Sequence, residues 1–122
     1  IFQMAKLFSI PTYKDPRGSL SVIEKILPFD IKRVYYIYDV DNSERGHHAH
    51  KKTIQALIML KGSCDVFVGK TQESTKYKID SPSMCLLLDP EDFHWMSNFS
   101  ENAVLLVLAS EEFDKEDYIY EN

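Results

Sequence analysis

The sequence predicts an all-β domain, a sandwich or a barrel. Short runs rich in Val, Ile, Leu, Tyr and Phe recur along the chain, separated by turn-forming strings such as Asp15-Pro16-Arg17-Gly18, Lys61-Gly62-Ser63 and Asp89-Pro90-Glu91-Asp92. No long segment carries apolar residues at helical spacing. The first expected strands are 7–10 and 20–26, on either side of the Asp-Pro-Arg-Gly turn. In 33–39, period-two alternation puts Val34, Tyr36 and Tyr38 on one face and Tyr35 and Ile37 on the other. Further strands are expected at 53–60 and 63–68, where Cys64, Val66 and Val68 alternate with Asp65 and Phe67 as in a half-buried antiparallel strand. Strands 75–79 and 84–88 follow. Segment 103–109 is apolar throughout, which suits a strand covered on both sides. The stretch 111–118 has room for a single helical turn.

The 122 residues suffice for one core, and no linker, repeat or low-complexity stretch divides them, so 4–122 reads as one folding unit. Ile1, Phe2 and Gln3 precede Met4 and read as a cloning or protease-site remnant. The net charge of -5 is spread along the chain, which argues against nucleic acid and against a basic membrane patch. No apolar run approaches the ~20 residues that span a bilayer and no signal core is visible, so a cytoplasmic protein is expected. Cys64 and Cys85 stand alone inside apolar runs and read as buried free thiols.

Residues 44–56 carry the chemistry. His48 and His50 are two apart, so in an extended segment both imidazoles leave one face and converge on one volume, whereas His47 points to the other face and to solvent. His48-x-His50, followed by Gln55 and Gly62, resembles the first motif of the cupin superfamily, the double-stranded β-helix or jelly-roll barrels. In metal-binding members that motif supplies two histidines and a glutamate, and a later motif supplies a third histidine. Here the glutamate position is Gln55 and the later position is Trp95, with His94 beside it. Two imidazoles hold a divalent ion poorly, so no metal and no cofactor are expected. A register shift of one residue at His94 would restore a third imidazole.

A wider set of strings narrows the resemblance. Lys32-Arg33-Val34-Tyr35-Tyr36-Ile37-Tyr38-Asp39, then Arg45-Gly46-His47-His48-Ala49-His50-Lys51-Lys52, then 99–110 and Asp117-Tyr118-Ile119 together resemble the nucleotide-sugar 3,4-ketoisomerases, the WxcM-like cupins. The resemblance implies that a keto group at C4 of a dTDP-linked 6-deoxyhexose moves to C3 through an enediol, and that the product feeds an aminotransferase. It also implies a homodimer. On this reading His48 and His50 form the acid/base pair, with His50 favoured for transfer between ring carbons, and Tyr36 and Arg45 polarise the sugar oxygens. Tyr36 could equally be a core tyrosine, and Arg45 could pair with Glu44 or Asp41. Arg17 either clamps the diphosphate or decorates its turn; Gln55, Trp95 and Lys51 complete the expected substrate site, Lys51 at its rim. The rival readings are a non-catalytic sugar-binding cupin, a sugar 3,5-epimerase and a metal-dependent oxygenase.

Overall fold

The computed structural model describes residues 5–70 and 72–120; the expected remnant at 1–3 lies outside them. Among the described residues, twelve strands form two five-stranded antiparallel sheets and one hairpin. In chain order they are β1 Lys6–Ser9, β2 Thr12–Asp15, β3 Gly18–Ser21, β4 Arg33–Ile37, β5 Arg45–His50, β6 Gln55–Lys61, β7 Cys64–Lys70, β8 Glu73–Ile79, β9 Met84–Leu88, β10 His94–Ser97, β11 Val104–Ala109 and β12 Tyr118–Ile119. A short 3-10 turn, Lys115–Asp117, stands where the single helical turn is expected, with the Asp114 side chain accepting from the backbone N–H of Glu116. The first sheet runs β1-β9-β6-β11-β4 and the second β12-β5-β10-β7-β8, and this is the jelly-roll arrangement that the histidine motif implied.

Alternation explains the core. Leu57, Met59, Leu86, Leu88, Leu105 and Val107 of the first sheet meet Cys64, Val66, Ile79 and Met96 of the second, and water is excluded between them. The opposite face of the first sheet is also covered. Ala56, Ile58, Cys85, Leu87 and Leu108 pack there under Ile23, Ile26, Leu27 and Phe29, which is why β6, β9 and β11 read as continuous apolar runs. Both thiols are buried and unbridged, and burial pushes each up to about 12.

The expected strand 20–26 ends at Ser21. Its remaining apolar residues belong to a loop, with Lys25 at a φ of 59°, and they serve as the cover of the outer face. Strand β2 was not legible, because Thr-Tyr-Lys-Asp carries no apolar alternation; it is fixed by pairing with β3 across the Asp15–Gly18 turn.

Candidate active site

A cavity of about 320 Å³ opens at one end of the barrel, walled by Arg33, Tyr35, Arg45, His48, Gln55, His94 and Tyr118 among others. Six strands meet around it, β11 contributing Val107. Strand β4 brings Arg33 and Tyr35 on its inner face, β6 brings Gln55, β5 and β10 bring His48 and His94, and β12 brings Tyr118. Strand β5 reaches this geometry through a left-handed step, Gly46 at a φ of 97° and His47 at 61°. A side chain at Gly46 would lie 3.1 Å from both the His94 carbonyl oxygen and the Trp95 Cα, so glycine allows β10 to close against β5. The β5–β10 register slips between His94 and Trp95, and that bulge turns His94 inward, opposite His48.

The imidazoles of His48, His50 and His94 form one cluster. The His48 ring lies 5.0 Å from His50 and 5.0 Å from His94, edge to face in both cases. His50 is buried behind His48 rather than on the cavity wall, and its Nδ1 lies 2.8 Å from Asp117 Oδ2. The same carboxylate accepts the Thr53 hydroxyl at 2.5 Å and the Lys52 backbone N–H at 2.8 Å. A carboxylate can only accept, so His50 carries its proton on Nδ1 and presents a bare Nε2. His94 Nδ1 likewise donates to the Asp92 carbonyl at 3.0 Å. Among the described residues, His50 Nε2 and Gln55 Oε1 are the buried side-chain atoms without a partner.

Burial keeps these rings neutral. It pushes His48 down to about 4, with His50 adding to the effect, and His94 down to about 3. Burial also lowers His50, against the opposing pull of Asp117. Asp117 is desolvated too, but hydrogen bonds from Thr53, His50 and Lys52 outweigh this and hold it below the usual carboxylate range. If neutral His48 is the base, activity should survive acid further than an ordinary imidazole allows. The acid limb of kcat/KM is expected near pH 4 instead of 6.5, with a flat profile from pH 8 to about 5; a limb at 6.5 would show that His48 is not the group titrating. Stability moves differently. Unfolded histidines take protons below pH 6.5 while folded His48 and His94 do not, so both withdraw stability as pH falls from 6.5 to about 4. Asp92, pushed up to about 6 by burial, works in the opposite sense over the same range.

The structure brings Arg45, His48 and Gln55 to the cavity wall as expected, sets His50 behind His48 rather than facing the cavity, and places Tyr36, Trp95, Arg17 and Lys51 differently from the expectation. Tyr36 is among the residues that wall the cavity, but most of its side chain lies on the other face of β4 from Tyr35, 61% exposed and beside Tyr38. Its neighbour Tyr35 takes the inner position, where its hydroxyl accepts a hydrogen bond from Gln55 Nε2 at 3.0 Å. Trp95 points away from the cavity and is stacked between His47 at 5.4 Å and Phe67 at 5.3 Å, because the bulge gives the inward position to His94. Arg17 sits at the tip of the β2–β3 hairpin, paired with Asp15 at 2.7 Å and fully in solvent, away from the cavity of its own chain. Lys51 is exposed; its backbone N–H donates to the Asp117 carbonyl, and its side chain is no part of the wall. Glu44 pairs with His47 at 2.7 Å rather than with Arg45.

Sequence reasoning passed over Arg33, Tyr35, Asp117 and Tyr118 as functional residues. Arg33 lies 4.4 Å over the Tyr35 ring and 5.3 Å from that of Phe113, so aromatic faces hold a guanidinium at the cavity. The Tyr118 ring stands 4.9 Å from His48 and 4.5 Å from His50. Among the described residues no group of three or more His, Cys, Asp or Glu is disposed to hold a metal, and Gln55 brings an amide where a carboxylate ligand would be wanted.

Neutral imidazole beside a phenol and two guanidiniums, set in the mouth of a jelly roll, defines a site for moving protons on a polar, anionic ligand. The family model described as FdtA, WxcM-like, C-terminal matches residues 3–122, and the chain belongs to that family. It is 44% identical to the TDP-4-oxo-6-deoxy-alpha-D-glucose-3,4-oxoisomerase of Aneurinibacillus thermoaerophilus, over 96% of this chain and 88% of the relative. The solved structure of QdtA, a sugar 3,4-ketoisomerase from Thermoanaerobacterium thermosaccharolyticum in complex with TDP, is 43% identical with a TM-score of 0.91, covering 96% of this chain and 88% of that one. The WlaRB TDP-quinovose 3,4-ketoisomerase of Campylobacter jejuni is 41% identical, also at 0.91, covering 98% and 95%.

Proposed function

We propose that the chain is a nucleotide-sugar 3,4-ketoisomerase, an isomerase that moves the keto group of a TDP-linked 4-keto-6-deoxyhexose from C4 to C3. The relatives named above support the reaction, and one arrangement carries the reading: neutral His48 on the cavity wall, with the Tyr35 hydroxyl and Arg45 on the same wall. A hydrogen next to a ketone is too weakly acidic for imidazole alone, so the base needs a donor at the carbonyl oxygen.

His48 takes the C3 proton; the C–H electron pair becomes the C3=C4 bond, and the carbonyl pair moves onto O4. Tyr35 and Arg45 stabilise the charge on O4. Tyr35 gives its proton to O4; the enediol then returns the O3 proton to the Tyr35 oxygen as the C3 carbonyl forms, and C4 takes a proton from the His48 imidazolium. His48, rather than His50, is given the carbon transfer because it faces the cavity. Asp117, one ring behind, places a negative charge that favours the imidazolium. Arg33 and Arg45 supply the positive charge that a diphosphate requires. Self-association is part of the proposal: Val34, Tyr36, Tyr38 and Leu60 leave large apolar side chains exposed on the first sheet, which suits pairing with a second copy.

Incubating TDP-4-keto-6-deoxyglucose with the protein in deuterated water containing a chelator tests this. Proton NMR is expected to show a 3-keto product carrying deuterium at C4, because the His48 imidazolium exchanges its proton with solvent before C4 is protonated. Substrate recovered unchanged and unlabelled would remove the isomerase and favour a sugar-binding module; turnover that stops in chelator and returns with a metal would overturn the metal-free chemistry.

A further inference from the structure

The Gln55 amide is engaged at one end only. Its Nε2 donates to the Tyr35 hydroxyl at 3.0 Å, whereas Oε1 is buried without a partner and the residue as a whole is 4% exposed. A buried acceptor without a donor is costly, and a ligand that brings an O–H relieves it. The Tyr35 oxygen, in turn, receives the Gln55 N–H and so keeps its own hydrogen to give away. Both residues line the cavity. Side by side they offer one free donor and one free acceptor.

The substrate class proposed above carries the complementary pair, a carbonyl at C4 that needs a donor and a hydroxyl at C3 that needs an acceptor. We propose that Gln55 reads this α-hydroxyketone unit: its Oε1 accepts the O3 hydroxyl while its Nε2 aims the Tyr35 hydrogen at O4. This rests on the ketoisomerase reading and deepens it. Gln55 is thereby a catalytic residue for the oxygen half of the reaction. Removing the C3 hydrogen needs only the carbon base and a donor at O4, but completing the isomerisation also requires O3 to return its proton to the Tyr35 oxygen, which has protonated O4, as the C3 carbonyl forms. With Oε1 fixed on O3–H, the intermediate is held ready for that loss.

The test separates the two halves. Wild type and Gln55→Leu are incubated with TDP-4-keto-6-deoxyglucose in deuterated water, and NMR follows both 3-keto product and deuterium entering C3 of recovered substrate. For Gln55→Leu, product formation is expected to fall about 10- to 100-fold, while label enters C3 at least as fast as in wild type, because the enediol returns instead of going forward. Unchanged product formation, or exchange and product falling together, overturns the assignment. Gln55→Glu serves if the leucine variant does not fold. A protonated carboxyl has the amide's pattern, an O–H for Tyr35 and a carbonyl oxygen for O3–H, and burial raises the carboxyl pKa. This variant is expected to be poor at pH 8 and to regain product formation as pH falls towards 6, where wild type stays flat; a flat profile for the variant counts against the proposal. Wild type that neither exchanges nor isomerises would instead sink the ketoisomerase reading itself.

Discussion

His48→Asn is expected to lower turnover by about 100-fold or more while the barrel stays folded, the usual scale when a general base is removed. The ring sits on the cavity wall, so its loss opens no hole in the core between the sheets. Comparison with His50→Ala makes the result specific. His50 is buried and holds Asp117, so its removal should cost stability as well as turnover, whereas His48→Asn should leave the melting temperature within a few degrees of wild type. Near-normal turnover in His48→Asn would show that the wall histidine is not the base.

Asp117→Ala should have the largest effect on stability. It removes the acceptor of the His50 N–H, the Thr53 hydroxyl and the Lys52 backbone N–H together, and leaves buried donors with nothing to bond. Stranding groups of this kind costs about 3–5 kcal/mol, or a fall in melting temperature of roughly 12–20 °C in a domain of this size. Asp117→Asn keeps one acceptor oxygen and should melt closer to wild type. It also removes the negative charge behind the rings, so turnover is expected to drop about 10-fold as the imidazolium loses support. An alanine variant with an unaltered melting curve would mean that the carboxylate is not what ties this corner together.

The fold was largely legible because its signals are local. The unbroken apolar run of β11 and the alternation of β7 each report a strand and the number of covered faces. Alternation in β4 correctly separated Tyr35 from Tyr36, but periodicity gives two faces without saying which is inside. That choice depends on Leu105 and Val107 of the neighbouring strand, and it puts the Tyr35 side chain, rather than that of Tyr36, on the core side. The inward turn of His94 depends on a bulge against Gly46, which no spacing rule reveals in advance. Asp117 lies 67 residues from the histidine it orients, and the string Asp117-Tyr118-Ile119 marks a resemblance without saying that its carboxylate reaches His50. The histidine spacing held because period two is intrinsic to an extended chain.

The pairing order of the strands bears on how the protein matures. Strand β1 pairs with β9, β5 with β10 and β12, and β6 with β11, so hardly any neighbours in the large sheets are neighbours along the chain. Such topologies fold slowly, on the ms-to-s scale, because long loops must close before distant pairs reward them. Every part of the cavity waits on those closures: His48 meets His94 only after β5 finds β10, and His50 gains Asp117 only after β12 docks. A partly folded chain therefore has no partial site, and recovery of activity during refolding reports completion of the whole barrel rather than of any one piece.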